Sequence, residues 1–115
     1  MTLNYNDSHW TNLALSRRSP LKAIVFDYHL LGIGLAWSDC RNVISSLGPA
    51  AREAFLDAYG PTLPEERILD DPLSVLLTLQ EATTRPTLPR WAMPCVDKAR
   101  SGGLLASLDR ARALL

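Results

Sequence analysis

Residues 5–15 read YNDSHWTNLAL and end in the apolar run Leu13–Ala14–Leu15. That run is answered by Ala23–Ile24–Val25–Phe26, followed at once by Asp27–Tyr28. The second run is β-branched and aromatic, a composition that favours a strand. Between the two lies SRRSPLK, residues 16–22, whose proline and two serines fit a turn. The pattern predicts a short β-hairpin between Asn12 and Asp27. Such a hairpin folds the chain back, so that these two side chains emerge at the same end of it. Asp7 stands five residues before Asn12, in the polar run that leads into the first strand. Leu30–Leu31–Gly32–Ile33–Gly34 then reads as a loop needing two flexible backbone positions.

An amide oxygen from Asn12 and a carboxylate from Asp27, brought to one point, suit a single metal ion. Magnesium is the cation that prefers oxygen ligands, keeps several waters and sits against substrate phosphates. Asp7 would stand beside them as a carboxylate able to accept a proton from a hydroxyl. An aspartate, a metal-binding asparagine five positions on and a second metal-binding aspartate at a strand end make up the layout of a kinase catalytic loop. Taken singly, Asp7 and Asn12 also fit a turn or N-cap pair, and Asp27 a turn cap. The order of the surrounding elements is what favours the catalytic layout.

That order resembles the aminoglycoside phosphotransferase family, including its choline-kinase-like relatives. The motifs that carry the resemblance are Asp7, Asn12, Asp27–Tyr28, Gly32–Ile33–Gly34 and Trp37–Ser38–Asp39, all within residues 3–47. The resemblance implies an α+β, mostly α fold: a protein-kinase-like C-terminal lobe with a short β-hairpin followed by four or five helices. It implies one domain over residues 1–115, with the catalytic loop, hairpin and metal-binding Asp loop in 1–34 and a helical subdomain in 35–115. By the same resemblance Asp7 orients or deprotonates the acceptor hydroxyl, and Asn12 and Asp27 hold magnesium against the phosphates of ATP. Asp39, early in its helix, braces the backbone of the catalytic loop. The implied reaction is ATP-dependent phosphorylation of a small-molecule hydroxyl such as an aminoglycoside, choline or a sugar.

Two departures shape that expectation. Tyr5 stands where the family carries a histidine two residues before the catalytic aspartate. Almost nothing precedes the catalytic loop, where the family has an N-terminal lobe with a phosphate-covering loop and a lysine. Lys22 lies in the hairpin and does not fill that place. The expectation is a chain inactive alone, or one completed by an N-lobe partner chain or a homo-oligomer. The alternative is a non-catalytic binding or regulatory module that keeps the C-lobe shape.

Beyond residue 35 the periodicity is helical. Cys40, Val43, Ile44 and Leu47 share one face, and Gly48–Pro49 ends that helix. Ala51, Ala54, Phe55 and Ala58 mark the next, with Gly60 past its end. Asp71–Pro72 reads as an N-cap and a first-turn proline opening a helix that is apolar nearly all round, hence central. Residues 89–101 suggest a further helix with a kink or late start at Pro94. Gly102–Gly103 then separates it from a terminal helix bearing Leu104, Leu105, Leu108, Ala111 and Leu115.

Twelve basic and twelve acidic side chains cancel, which removes any bulk electrostatic case for nucleic acid or an anionic membrane. No apolar run approaches the ~18 residues of a membrane span. The N-terminus lacks the charged start and apolar core of a secretory signal, and Cys40 and Cys95 form no metal or disulfide pattern, so a cytoplasmic setting is expected. Charge is uneven: residues 53–81 hold seven acids against Arg67, and residues 83–115 six bases against two acids. Solvated helix faces that attract each other are the favoured reading; an acidic surface drawing in a cationic acceptor is the other. His9 and His29 flank the two motifs; exposed loop histidines are the favoured reading and metal ligands the other, while Trp10, Trp37 and Trp91 read as packing residues.

Overall fold

The computed structural model describes residues 1–115. The fold is α+β and mostly helical, with five helices and two small antiparallel strand pairs. It divides into two compact units, Met1–Leu63 and Pro64–Leu115. The boundary between the two units follows the second helix.

The first unit holds β1 (Thr2–Asn4), β2 (Leu13–Leu15), β3 (Ala23–Val25), β4 (Gly32–Gly34), α1 (Ala36–Leu47) and α2 (Pro49–Tyr59), with a 3₁₀ turn over Trp10–Asn12. β2 and β3 form the expected hairpin, with Leu13 opposite Val25 and Leu15 opposite Ala23. The Phe26 amide donates to the Asn12 carbonyl at 3.1 Å and closes the open end; the Ser16 amide donates to Lys22 at 2.8 Å and closes the turn end.

The segment expected as a loop at residues 30–34 is instead half of a strand pair. β4 runs antiparallel to β1, with Thr2 opposite Gly34 and Asn4 opposite Gly32. The glycine at 34 is required by close approach and not by backbone freedom. A Cβ there would lie 3.0 Å from the amide nitrogen of Asn4. Asn4 is fully buried and donates to the Leu35 carbonyl at 2.5 Å, so it has little room to retreat.

Helices α1 and α2 follow their sequence signals. Cys40 and Val43 are buried on the inner face of α1. Gly48 takes φ +83° between the two helices, Pro49 supplies the first residue of α2, and Gly60 ends it at φ +94°.

The second unit holds α3 (Pro64–Thr83), a 3₁₀ turn at Arg90–Ala92, α4 (Met93–Arg100) and α5 (Gly103–Arg112). Pro94 sits in the first turn of α4, which gives that helix the late start. α3 begins seven residues before the expected N-cap, Asp71. Pro64 opens it and Glu65 and Glu66 occupy its first turn, where carboxylates meet the positive end of the helix. Pro72 lies inside the helix and removes one backbone donor, which leaves the Ile68 carbonyl without its usual partner. Nor is α3 buried all round: Val75 and Ala82 are buried, but Leu73, Leu76 and Leu77 are exposed.

Asp71 is not a cap but a tie. Its carboxylate accepts from Lys98 of α4 at 2.5 Å, and from Ser107 and Arg110 of α5 at 2.7 and 3.2 Å. Acids of the 53–81 stretch thus meet bases of the 83–115 stretch, as Glu81 also meets Arg85 at 3.1 Å. Partial burial works to raise the Asp71 pKa, but the hydrogen bonds from Lys98 and Ser107 outweigh it and the pKa is lowered. A carboxylate whose pKa is lower folded than unfolded adds stability above the unfolded value, about 3.9, and that stability is lost as pH falls through the folded one. Asp71→Asn is expected to destabilise the second unit by about 1 kcal/mol at neutral pH, because the tie is partly solvated. Denaturant titrations of wild type and variant should converge as pH falls below the carboxylate range; a constant difference would remove the charged tie from this account.

Candidate functional site

The loop from Tyr5 to Asn12 is positioned by one carboxylate. Asp39, in the first turn of α1, is buried and accepts hydrogen bonds from the backbone amides of Tyr5 at 2.8 Å and Asn6 at 2.7 Å. Asn6 takes φ +64°, a left-handed conformation that asparagine tolerates better than most residues. Its side-chain amide donates to the Leu30 carbonyl at 3.0 Å, and its own carbonyl accepts from Asn42 at 3.2 Å. The sharp turn at Asn6 leads directly into Asp7, which lines a cavity together with Asn42, Ser45 and Ser46 of α1. Below it, the His9 amide donates to the Asp7 carbonyl and the Asn12 amide to the His9 carbonyl.

The hairpin then returns Asp27 to this loop. Asn12 donates through Nδ2 to Oδ2 of Asp7 at 2.7 Å and to the Asp7 carbonyl at 3.2 Å. Asp27 sits just past β3 at φ +67°, and its Oδ1 lies 2.5 Å from Nδ1 of His29. One ligand atom each from Asp7, Asp27 and His29 lie within 4.8 Å of one another. The structure therefore brings Asp7, Asn12 and Asp27 to one place and adds His29 to them.

Tyr5 completes the cluster. Its hydroxyl donates to the Phe26 carbonyl, and its ring meets Tyr28 edge-on at 5.6 Å. Desolvation, then the negative charges of Asp7 and Asp27, push the Tyr5 pKa up, while a hydrogen bond from Asn12 works against them. A group that feels both carboxylates and the amide at once marks their convergence. The position read as a departure from the family motif thus links the loop to the end of the hairpin.

Two carboxylates and an amide form a hard donor set. Because Nδ2 of Asn12 is used on Asp7, its Oδ1 is the atom left for a cation. Oδ1 of Asp27 is engaged by His29, which leaves its Oδ2. The cluster is of a kind that could hold a metal ion.

A polar cavity of about 460 Å³ opens beside Asp7, between the loop and α1, and Ser8, Trp10, Asn42, Ser45 and Ser46 line it. A second, mainly apolar cavity of about 570 Å³ lies between the hairpin and the two helices, with Leu13, Val25, Val43 and Phe55 in its wall.

Some sequence readings change here. Trp10 is 61% exposed and Trp91 is half-exposed under the guanidinium of Arg85, so neither is a packing residue. His9 is exposed, engages Thr11 at 2.7 Å and lines the polar cavity with Asp7. His29 was not separable from any loop histidine by spacing; its position two residues after Asp27 was the only signal.

No family model, no curated protein and no solved structure matches this chain. The Asp39 brace is directly testable. Asp39→Ala leaves two backbone donors without an acceptor and is expected to destabilise the first unit by about 3 kcal/mol, with Asp39→Asn in between. Amide hydrogen exchange at Tyr5 and Asn6 should quicken in both variants. Unchanged protection at those two amides would show that the loop is held by something else.

Proposed function

We propose that this chain carries the catalytic loop and metal-binding residues of a phosphotransferase that moves the terminal phosphate of ATP to a hydroxyl of a small molecule. The observation that supports this most is the gathering of Asp7, Asn12 and Asp27 at one end of the hairpin, on a loop braced from behind by Asp39. Phosphoryl transfer asks a protein chiefly for positioning and for neutralisation of phosphate charge.

Each residue has a part. Asn12 fixes the rotamer of Asp7 through Oδ2, which leaves Oδ1 of Asp7 to accept the proton of the acceptor hydroxyl. The hydroxyl oxygen forms the new bond to phosphorus as the bond to the leaving diphosphate breaks. Oδ1 of Asn12 and the free oxygen of Asp27 are the atoms that would hold magnesium. When bound, that ion would neutralise the phosphate oxygens. His29 holds Asp27 in a fixed orientation. Tyr5, bonded to the backbone beside Asp27, keeps the loop and the hairpin end in register.

These residues supply the acceptor side and the metal ligands. Cover for the nucleotide phosphates and a lysine to pair with them must come from another segment or chain, since Lys22 is exposed at the hairpin turn. In this proposal the 115 residues bind metal–nucleotide weakly and do not turn it over unaided.

The test uses Mn²⁺·ATP as a paramagnetic probe. Amide signals of Asp7, Asn12, Asp27 and His29 should broaden first, and Asp27→Ala should abolish that broadening while the rest of the spectrum keeps its dispersion. Broadening spread evenly over exposed acids, or none at this cluster, would refute the proposal.

A further inference from the structure

The turn end of the β2–β3 hairpin lies opposite the end that carries Asn12 and Asp27. It combines bare apolar side chains with unopposed positive charge. The chain as a whole has no net charge, but residues 13–26 hold Arg17, Arg18 and Lys22 and no acid. None of the three cations has an ion-pair partner. Beside them Leu15 is 72% exposed and Leu21 77%, and Ile24 on β3 is also bare. Two leucines held in water at one tip stand to gain from an apolar surrounding.

The backbone of the tip is closed on itself. The Ser16 amide donates to the Lys22 carbonyl at 2.8 Å, and Ser16 Oγ accepts from the Lys22 amide at 2.8 Å. The same hydroxyl faces the carbonyls of Arg18 at 3.1 Å and Pro20 at 3.3 Å. Pro20 has no N–H to satisfy. One serine thus engages four backbone groups that would otherwise turn to water. A segment whose polar backbone is engaged in this way loses less on leaving water.

We infer that this tip docks on an anionic lipid bilayer. Leu15 and Leu21 enter the boundary between headgroups and acyl chains, and Arg17, Arg18 and Lys22 stay at the lipid phosphates. Long basic side chains suit that division, because their stems lie along apolar surface while their charged ends remain at the headgroups. Nucleic acid would match the charge, but the tip has no aromatic side chain for a base to stack on, and its leucines would stay in water. A folded acidic protein would match charge and leucines together. The tip is eight residues long, however, residues 15–22, and a stable protein interface takes roughly 20–30 on each side. A bilayer accepts a shallow tip without further surface. Docking of this kind does not depend on the chemistry at Asp7.

Vesicle flotation of the full chain tests this. Wild-type protein should float with vesicles of phosphatidylcholine mixed with phosphatidylserine and stay behind with phosphatidylcholine alone, and added salt should weaken the binding. Replacing Arg17, Arg18 and Lys22 together by Gln should lower the partition by about a hundredfold, at about fivefold for each charge. Leu21→Ser should lower it by about tenfold. A charge-matched control, Arg90, Arg100 and Arg112 of the second unit replaced by Gln, should partition as wild type does. All these side chains are exposed, so every variant should keep the amide dispersion of the wild type. No flotation, equal flotation with neutral vesicles, or an equal loss in the control would overturn the inference. Heparin binding as tight as vesicle binding, with Leu21→Ser indifferent in both, would also overturn it and would assign the tip to soluble polyanions.

Discussion

Two hydrogen bonds to one buried carboxylate organise the first unit. Asp39 accepts from consecutive backbone amides, those of Tyr5 and Asn6, across more than thirty residues of chain. Both amides belong to a sharp turn with a left-handed residue, where no strand or helix neighbour would satisfy them. Without that carboxylate the turn would hold two unpaired donors against α1, and the direction in which Asp7 leaves the turn would be free. With it, the loop is fixed to a helix that is itself packed through Cys40 and Val43. The rigidity of the candidate site is thus inherited from α1.

The front of the site shows the opposite balance. Asp7 and Asp27 place two like charges within a few ångströms, an arrangement that costs electrostatic energy. Asn12 and His29 each relieve one of them, and the upward-shifted Tyr5 registers what remains. Half-buried Asp7 and exposed Asp27 are each held by one neighbouring side chain. Asp71 in the second unit makes the contrast. Its carboxylate has three partners from two helices, and its pKa is lowered. It is satisfied by the protein and has a structural role.

No helix of the chain is long and apolar enough to cross a membrane. The apolar surface that does exist is local. Leu73, Leu76 and Leu77 form a short exposed stripe on α3, and the hairpin leaves Leu15 and Ile24 in solvent. The strands are only three residues long, so the hairpin rests on its closing bonds at Asn12–Phe26 and Ser16–Lys22 as much as on its own ladder.

Local chemistry determined a good part of this protein by itself. The β-branched run at 23–26 and the serine-proline turn before it specify the hairpin, and glycines at 48, 60 and 102 stop helices because they take positive φ without a Cβ penalty. Once the hairpin is specified, Asn12 and Asp27 must share an end, so the meeting of the three site residues was legible from spacing. Tertiary structure alone decided the rest. The pairing of β1 with β4 depends on the fit of Asn4 against Gly34, a contact between residues thirty apart that no local pattern encodes. α3 continues past Asp71–Pro72, and Asp71 is claimed by Lys98, Ser107 and Arg110, partners too distant for a local capping pattern to reveal. Trp10 faces solvent for the same kind of reason: Ser46 of α1 holds its backbone, and which way an indole then points is set by what lies across from it, not by its neighbours in sequence.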